Sequence, residues 1–181
     1  MEFHPIEVLR RFDELLQSKG LEFKDGVVIG GTAISLLYRH ERFTQDVDLL
    51  TPIPPLVKAA SREFAAKEGL AEDWLNNRVV NLDNCKPMGW GKDLVPLFEG
   101  VSLSLYSVSR INLLRIKLFA ACDRAEGMAI DLPDVKSMNP TRVEVGDATQ
   151  WVRGELSRQR RSMRENQQFL QILDAIEKLL G

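Results

Sequence analysis

Two short apolar segments, separated by about fifteen residues, constrain the fold of this chain more than any other feature. Residues 27–31 read VVIGG, and residues 46–50 read DVDLL. The second segment predicts a β-strand whose side chains alternate between two faces, so Asp46 and Asp48 share one face about 7 Å apart. Two carboxylates at that spacing repel each other unless a cation or a shared proton lies between them. The pattern therefore predicts two buried strands and a pair of acids at one site.

The glycine pair predicts a sharp turn from the first strand into a helix. Glycine lets the backbone approach a ligand with no Cβ in the way, and the helix that follows offers unpaired N–H groups to an anion such as phosphate. The sequence lacks the third glycine of a dinucleotide-binding loop and the Gly-Lys-Ser/Thr ending of a Walker loop. On its own, the pair is also typical of a tight strand-to-helix turn that binds nothing.

The glycine turn and the paired acids together predict nucleotidyl transfer, because this chemistry needs both parts. The turn holds the β- and γ-phosphates of a nucleoside triphosphate, and the carboxylates hold a divalent ion that bridges the α-phosphate and activates the incoming hydroxyl. We therefore predict that Gly30 and Gly31 seat the phosphates and that Asp46 and Asp48 bind Mg²⁺ or Mn²⁺. A solvated strand edge is the alternative interpretation of the two acids.

The remaining segments predict a small mixed sheet flanked by helices, with a helical C-terminal part. Residues 5–18 place apolar side chains on one stripe, as an amphipathic helix does, and residues 101–108 alternate like a half-buried strand. Residues 71–100 give no clear pattern. We predict an α/β (α+β) fold in one domain, residues 1–181, with a core at 1–108 and a helical part at 109–181.

The composition is that of a globular protein, with 44% hydrophobic and 28% charged residues, and a net charge of −2 gives no overall basic field for nucleic acid. The first ten residues mix acids and bases, which predicts no signal peptide, and glycines interrupt the longest apolar stretch. We predict a cytoplasmic protein with no membrane contact. Cys85 and Cys122 lack the spacing of a zinc site and are predicted to be reduced.

Five arginines lie within twelve residues near the C-terminus. Such a charge run usually forms a solvated helix face, and contact with RNA or with an acidic partner is the alternative. These residues are Arg153, Arg158, Arg160, Arg161 and Arg164.

Residues 30–37 read GGTAISLL, and residues 42–49 read RFTQDVDL. These stretches resemble the motifs GGTA-x-x-L-L and R-x-T-x-D-h-D-L, where h is hydrophobic. The motifs recur in the polymerase beta type of nucleotidyltransferase superfamily, in its bacterial branch related to the AbiEii toxins. Looser similarity continues to about residue 151, through WLN at 74–76, LLRIKL at 113–118 and DLPDV at 131–135.

This resemblance implies a nucleotidyltransferase-like fold and roles for further residues. It implies that Thr32 and Thr44 join the nucleotide site, and that Arg42 and Lys117 offset the charge of the phosphates. The alternatives are an ion pair between Arg42 and an aspartate, and a lysine stem that only covers apolar surface. The resemblance also implies a nucleoside triphosphate as substrate, the hydroxyl of RNA, a tRNA end or a protein as acceptor, and a cognate antitoxin as partner.

Polymerase beta-type enzymes usually carry a third carboxylate on a following strand, but residues 101–108 contain no acid. The resemblance offers Asp131 and Asp134 as substitutes, and Asp83 is a more distant candidate. We predict that Asp134 is the third catalytic acid and that Asp131 caps a helix with Pro133 in its first turn. The alternative hypothesis is a catalytically weak protein that binds a nucleotide or a partner.

Overall fold

The computed structural model describes residues 4–38, 44–78, 87, 89–123, 127–159 and 161–180. The chain divides into two compact units. The first comprises Met1–Leu82 and Gly91–Ser109, and the second comprises Asp83–Trp90 and Arg110–Gly181. A single domain over residues 1–181 stays a prediction.

The described residues of the first unit form a mixed sheet of five strands in the order β3-β2-β1-β5-β4, together with three helices. β1 is parallel to β5 and antiparallel to β2, β2 is parallel to β3, and β4 is antiparallel to β5. The elements are α1 (Pro5–Ser18), β1 (Phe23–Ile29), α2 (Gly30–Leu37), β2 (Val47–Leu49), α3 (Pro55–Glu68), β3 (Leu75–Asn76), β4 (Val95–Glu99) and β5 (Leu103–Ser107).

Helix α1 has the predicted bounds and the predicted apolar stripe. Leu9, Phe12 and Leu16 are all 0% exposed. Phe12 packs edge to face against Trp74, with ring centroids 5.1 Å apart, and Phe64 of α3 lies 5.4 Å from Phe12. This aromatic cluster anchors α1 and α3 to the residue that precedes β3.

The predicted strand within residues 101–108 is confirmed as β5, but the expectation that it is half-buried is wrong. β5 lies inside the sheet between β1 and β4, and Ser104 and Ser107 are buried together with Leu103 and Leu105. Alternation predicts which side chains share a face, but it does not reveal that both faces are covered.

A buried carboxylate of α1 holds the turn between β4 and β5. Asp13 accepts hydrogen bonds from the backbone N–H groups of Val101, Ser102 and Leu103 at 3.1, 2.7 and 2.6 Å. The backbone of Gly100 passes so close that an added Cβ would lie 2.5 Å from the Asp13 Cγ atom. The sequence gives no sign of this contact, because Asp13 has the pattern of one more polar residue of an amphipathic helix.

The second unit is helical in its described residues, which confirms the predicted helical C-terminal region and completes the predicted fold class. Phe119 and Phe169 pack in its core with ring centroids 5.2 Å apart. Burial raises the pKa of the Cys122 thiol to about 12, so this residue stays protonated. No helix of the described ranges is long and apolar enough to cross a membrane. The helices are α4 (Arg110–Asp123), α5 (Gly127–Ser137), α6 (Arg142–Arg158) and α7 (Met163–Leu180).

The prediction that Asp131 caps a helix starting near Pro133 is wrong. α5 begins at Gly127, so Pro133 lies inside the helix and Asp131 lies within its second turn. Proline inside a helix removes one backbone hydrogen bond. The burial of Leu132 and Val135 offsets that loss here. Burial of this kind is a tertiary effect, and the local residues that suggest a helix cap do not reveal it.

Glu144 closes a capping box at the start of α6 and forms an ion pair with Arg110 of α4. Arg110 Nε donates to Glu144 Oε1 at 2.7 Å, and the Thr141 N–H donates to Glu144 Oε2 at 2.8 Å. These hydrogen bonds lower the pKa of Glu144 from its ordinary 4.5 to about 2. Because the folded-state pKa is the lower one, the carboxylate stabilises the fold above pH 4.5 and this contribution is lost as the pH falls towards 2.

We expect Glu144→Gln to lower the free energy of unfolding at pH 7 by about 1 kcal/mol, the usual cost of losing a cap. The difference from the unmodified protein should shrink as the pH falls through the window below 4.5. Urea denaturation at a series of pH values measures this difference in the free energy of unfolding. Glu22→Gln, which replaces an exposed glutamate, is the matched control. A loss of unfolding free energy that is the same at every pH would contradict a stabilising role of the Glu144 carboxylate.

Candidate active site

Strands β1 and β2 lie side by side and bring the glycine turn to the acids. In their antiparallel register Ile29 pairs with Asp48. Thr32 Oγ1 donates to the backbone carbonyl oxygen of Asp46 at 2.6 Å, which ties the first turn of α2 to the residue before β2. The structure therefore brings Gly30, Thr32, Asp46 and Asp48 together.

The two acids alternate with fully buried residues, as the period of a strand predicts. Val47 and Leu49 are 0% exposed, whereas Asp46 and Asp48 are half-buried. Their carboxylates therefore lie on the accessible side of this strand, where a ligand can reach them.

Gly30 is required by the backbone and by the space around it. Its φ of +73° lies in the left-handed region that favours glycine. A Cβ added at Gly30 would lie 2.9 Å from the Oδ2 atom of Asp48. Any other residue would therefore be strained and would crowd the Asp48 carboxylate.

Helix α2 offers a place for an anion. It begins at Gly30, so the two glycines are its first two residues and do not precede it as the sequence predicts. The N-cap residue Ile29 supplies no side-chain hydrogen bond, and the first turn contains no acid. The first N–H groups of a helix have no partner within the helix, so this end suits a phosphate.

Thr44 contacts Asp46 in this site. Its Oγ1 lies 3.3 Å from both the backbone oxygen and the Oδ1 atom of Asp46, and its side chain is buried. A hydroxyl in this place orients the Asp46 carboxylate. A direct contact of Thr44 with the nucleotide stays a prediction. Arg42, which is predicted to offset phosphate charge, lies outside the described residues.

The acids fit a metal that arrives together with a nucleotide. Among the described residues, no group of three His, Cys, Asp or Glu side chains could hold a metal ion. Mg²⁺ is usually bound by one or two carboxylates plus substrate phosphates and water. Asp46 and Asp48 beside the phosphate seat match that donor set. Asp83, the more distant candidate for a third acid, lies outside the described residues.

On the side away from β1, the acid-bearing strand β2 pairs with the short strand β3. In the parallel register of these strands Asp48 pairs with Asn76, so both side chains lie on the same face. The strand without acids, β5, lies on the far side of β1. No local pattern marks Asn76, because a strand of two residues has no measurable period. The similarity of WLN at 74–76 to the family motif is the signal that points to it.

Lys117, Asp131 and Asp134 form a buried cluster within the second unit. The Lys117 Nζ atom lies 2.9 Å from Asp131 Oδ1 and 2.7 Å from Asp134 Oδ2, and the three side chains are 4%, 0% and 0% exposed. The spacing of three residues on α5 puts both acids on one side, as predicted. The catalytic roles of Lys117 and Asp134 stay predictions.

Three of the clustered arginines pair with carboxylates. Arg153 lies 2.6 Å from Asp174 and 2.9 Å from Glu177. Arg158 pairs with Glu155, and Arg161 pairs with Asp123. These ion pairs favour the interpretation of a solvated face over a polyanion site; Arg160 lies outside the described residues.

Comparison with known families gives a match over the first part of the chain. The family described as "Nucleotidyl transferase AbiEii toxin, Type IV TA system" matches residues 14–118, which is more than half of the 181 residues. The matched stretch contains the glycine turn, both acids, β3 and Lys117, and it ends before Asp131. No curated protein and no solved structure matches the chain significantly.

Proposed function

Because this chain belongs to the AbiEii nucleotidyl transferase family, we propose that it transfers a nucleoside monophosphate from a nucleoside triphosphate to a hydroxyl acceptor, with Mg²⁺ or Mn²⁺ as cofactor. The observation that carries this proposal is the contact between the glycine turn and the acids. Gly30 leaves no room for a side chain beside Asp48 Oδ2, and Thr32 is hydrogen-bonded to Asp46. A phosphate seat and two carboxylates thus share one site.

Each part of the site has one task in this reaction. The free N–H groups at the start of α2 bind the β- and γ-phosphates and hold the leaving group. Asp46 and Asp48 hold the divalent ion, and Thr44 orients Asp46. The ion, when bound, polarises the α-phosphate and lowers the pKa of the attacking hydroxyl. The acceptor oxygen forms a bond to the α-phosphorus while the bond to pyrophosphate breaks.

The biological setting is also a proposal. The family description names a type IV toxin–antitoxin system. We extend it to this chain as the toxin component of such a system, with a cognate antitoxin as its partner. Its place of action would be the cytoplasm, where nucleoside triphosphates and RNA are available.

Transfer of a label from the α-phosphate tests the proposed function. We expect label at the α-phosphate, but not at the γ-phosphate, to become attached to total cellular RNA or protein in the presence of Mg²⁺. Chelation with EDTA should abolish the transfer, because the acids act through the ion. Attachment of the γ label would instead indicate phosphoryl transfer and contradict the proposal.

One observation favours a second candidate, a protein that binds nucleotides or a partner with little catalysis. Among the described residues, Asp46 and Asp48 belong to no group of three His, Cys, Asp or Glu side chains that could hold a metal ion. Such a protein would melt at a higher temperature with Mg²⁺ and a nucleoside triphosphate, because a ligand of the folded state stabilises it. Stabilisation without label transfer, for every nucleotide and acceptor tested, would favour this candidate.

A further inference from the structure

We propose that Tyr106 binds the nucleoside part of the nucleoside triphosphate by stacking its ring against the base. The inference rests on the proposed nucleotidyl transfer, because it assigns a further residue to the substrate of that same site. Three observations carry it: the face of the sheet on which Tyr106 lies, its position at the end of β5, and its exposure on an interior strand.

The register of the sheet puts Tyr106 on the same face as the acids. Tyr106 of β5 pairs with Val27 of β1. Ile29, two residues further along β1, pairs with Asp48 of β2. Paired residues share a face, and so do residues two apart on one strand. Tyr106 and Asp48 therefore lie on one face of the sheet, on the two strands that flank β1.

Tyr106 also lies near the edge of the sheet where the phosphates are proposed to bind. β1 and β5 are parallel, so their carboxyl ends meet at the same edge, and β1 ends there at the glycine turn. Ligands of open α/β sheets bind outside the carboxyl ends of the strands. Two strand spacings and two residues along the strand separate the Cα atoms of Tyr106 and Asp48, which amounts to about 12 Å. A nucleotide whose α-phosphate lies at Asp48 reaches across this distance with its base.

The side chain of Tyr106 is accessible although β5 is an interior strand. β5 has a neighbour on each side, and its other four residues are buried. On the strand between the two residues, Val27 and Ile29 are 3% and 5% exposed. Tyr106 and Asp48 are both half-buried. At this end of the face an aromatic ring and an acid thus stay accessible on either side of an apolar floor.

The chemistry of the Tyr106 side chain suits a nucleobase. A tyrosine hydroxyl that is buried usually has a hydrogen-bond partner, but the Tyr106 hydroxyl has none within the described ranges. The side chain is therefore available to a ligand. Aromatic side chains on the face of a sheet stack against bases in RNA-recognition domains, and such stacking tolerates every base. Tyr106 therefore contributes to the binding of each nucleoside triphosphate and does not select among them.

Tyr106→Leu tests the inference, with Phe98→Leu as the matched control. Phe98 of β4 is a half-buried aromatic residue that pairs with Leu105, so it lies on the opposite face of the sheet. We expect Tyr106→Leu to raise the dissociation constant for ATP with Mg²⁺ about fivefold or more, because it removes the stacked ring and keeps apolar bulk. Phe98→Leu should leave this constant unchanged. Tyr106→Phe should stay within about twofold of the unmodified protein, because it keeps the ring.

Inorganic triphosphate separates contact with the base from contact with the phosphates. It carries no base, so Tyr106→Leu and the unmodified protein should bind it equally well. Isothermal titration calorimetry in the presence of Mg²⁺ measures both ligands, and thermal melting checks that each variant is folded. Equal weakening of triphosphate and ATP binding would overturn the stacking role, because Tyr106 would then only support the site. A Tyr106→Phe variant as weak as Tyr106→Leu would also overturn it, because the contact would then be made by the hydroxyl.

Label transfer keeps this inference apart from the proposed function. Transfer by the unmodified protein, with ATP binding unchanged in Tyr106→Leu, would overturn the role of Tyr106 alone. ATP binding that depends on the ring, without label transfer to any acceptor, would count against the proposed function alone. An unmodified protein that binds neither ATP nor triphosphate would overturn both.

Discussion

Replacing Asp48 with asparagine is expected to reduce nucleotidyl transfer about a thousandfold or more. On the proposed mechanism, a divalent ion held by Asp48 would stabilise the transition state by several kcal/mol, and each 1.4 kcal/mol is a factor of about ten in rate. The free energy of unfolding should change little, because Asp48 is half-buried and a neutral side chain relieves the repulsion with Asp46. Initial rates of label transfer and urea denaturation of the same preparations measure the two effects.

Asp25→Asn is the control for this substitution. Asp25 lies on β1, the neighbouring strand, with an exposed side chain, and it should keep full activity. Transfer by Asp48→Asn at the rate of the control would mean that the metal site lies elsewhere. A large loss of stability in Asp48→Asn would mean that the carboxylate is mainly structural.

Replacing Lys117 with methionine is expected to lower the free energy of unfolding by about 3 to 5 kcal/mol. Removing one partner of a buried ion pair leaves charges that the protein interior solvates poorly. Here the ammonium contacts two carboxylates, Asp131 and Asp134, that are 0% exposed. Lys136→Met, at an exposed lysine on α5, should lose much less stability. Urea denaturation compares the two variants.

The same variant also tests the catalytic role predicted for Lys117. If the residue only holds the cluster, adding Asp131→Asn and Asp134→Asn to Lys117→Met should recover part of the stability, because the buried charges are then removed together. A variant that loses all transfer while its free energy of unfolding falls by less than about 1 kcal/mol would contradict the structural interpretation. It would support a direct contact between Lys117 and the nucleotide.

The sequence predicts the centre of the candidate site because its signals are local. The two glycines mark the turn, and the alternation around Asp46 and Asp48 fixes which side chains share a face. The stripe of Leu9, Phe12 and Leu16 likewise determines α1, because each apolar side chain recurs at a helical spacing. Patterns of this kind depend only on residues within a few positions of each other.

Other features depend on contacts between distant parts of the chain and leave no local pattern. Asn76 lies beside Asp48 only because β3 pairs with β2, and two residues are too few to show a strand period. Asp131 carries the local signal of a cap, but burial against Lys117 places it inside α5. The serines of β5 look solvent-facing until the order of the strands puts them inside the sheet.

The contact between Asp13 and the turn before β5 has a consequence for where this protein can be truncated. The similarity to the family begins at residue 14, immediately after this carboxylate, and it stops at residue 118, inside α4. A fragment with those limits would keep the glycine turn and both acids. It would lose the acceptor of three backbone N–H groups and most of α1, including Phe12. The stretch that matches the family is therefore smaller than the stretch whose contacts hold the sheet and α1 together.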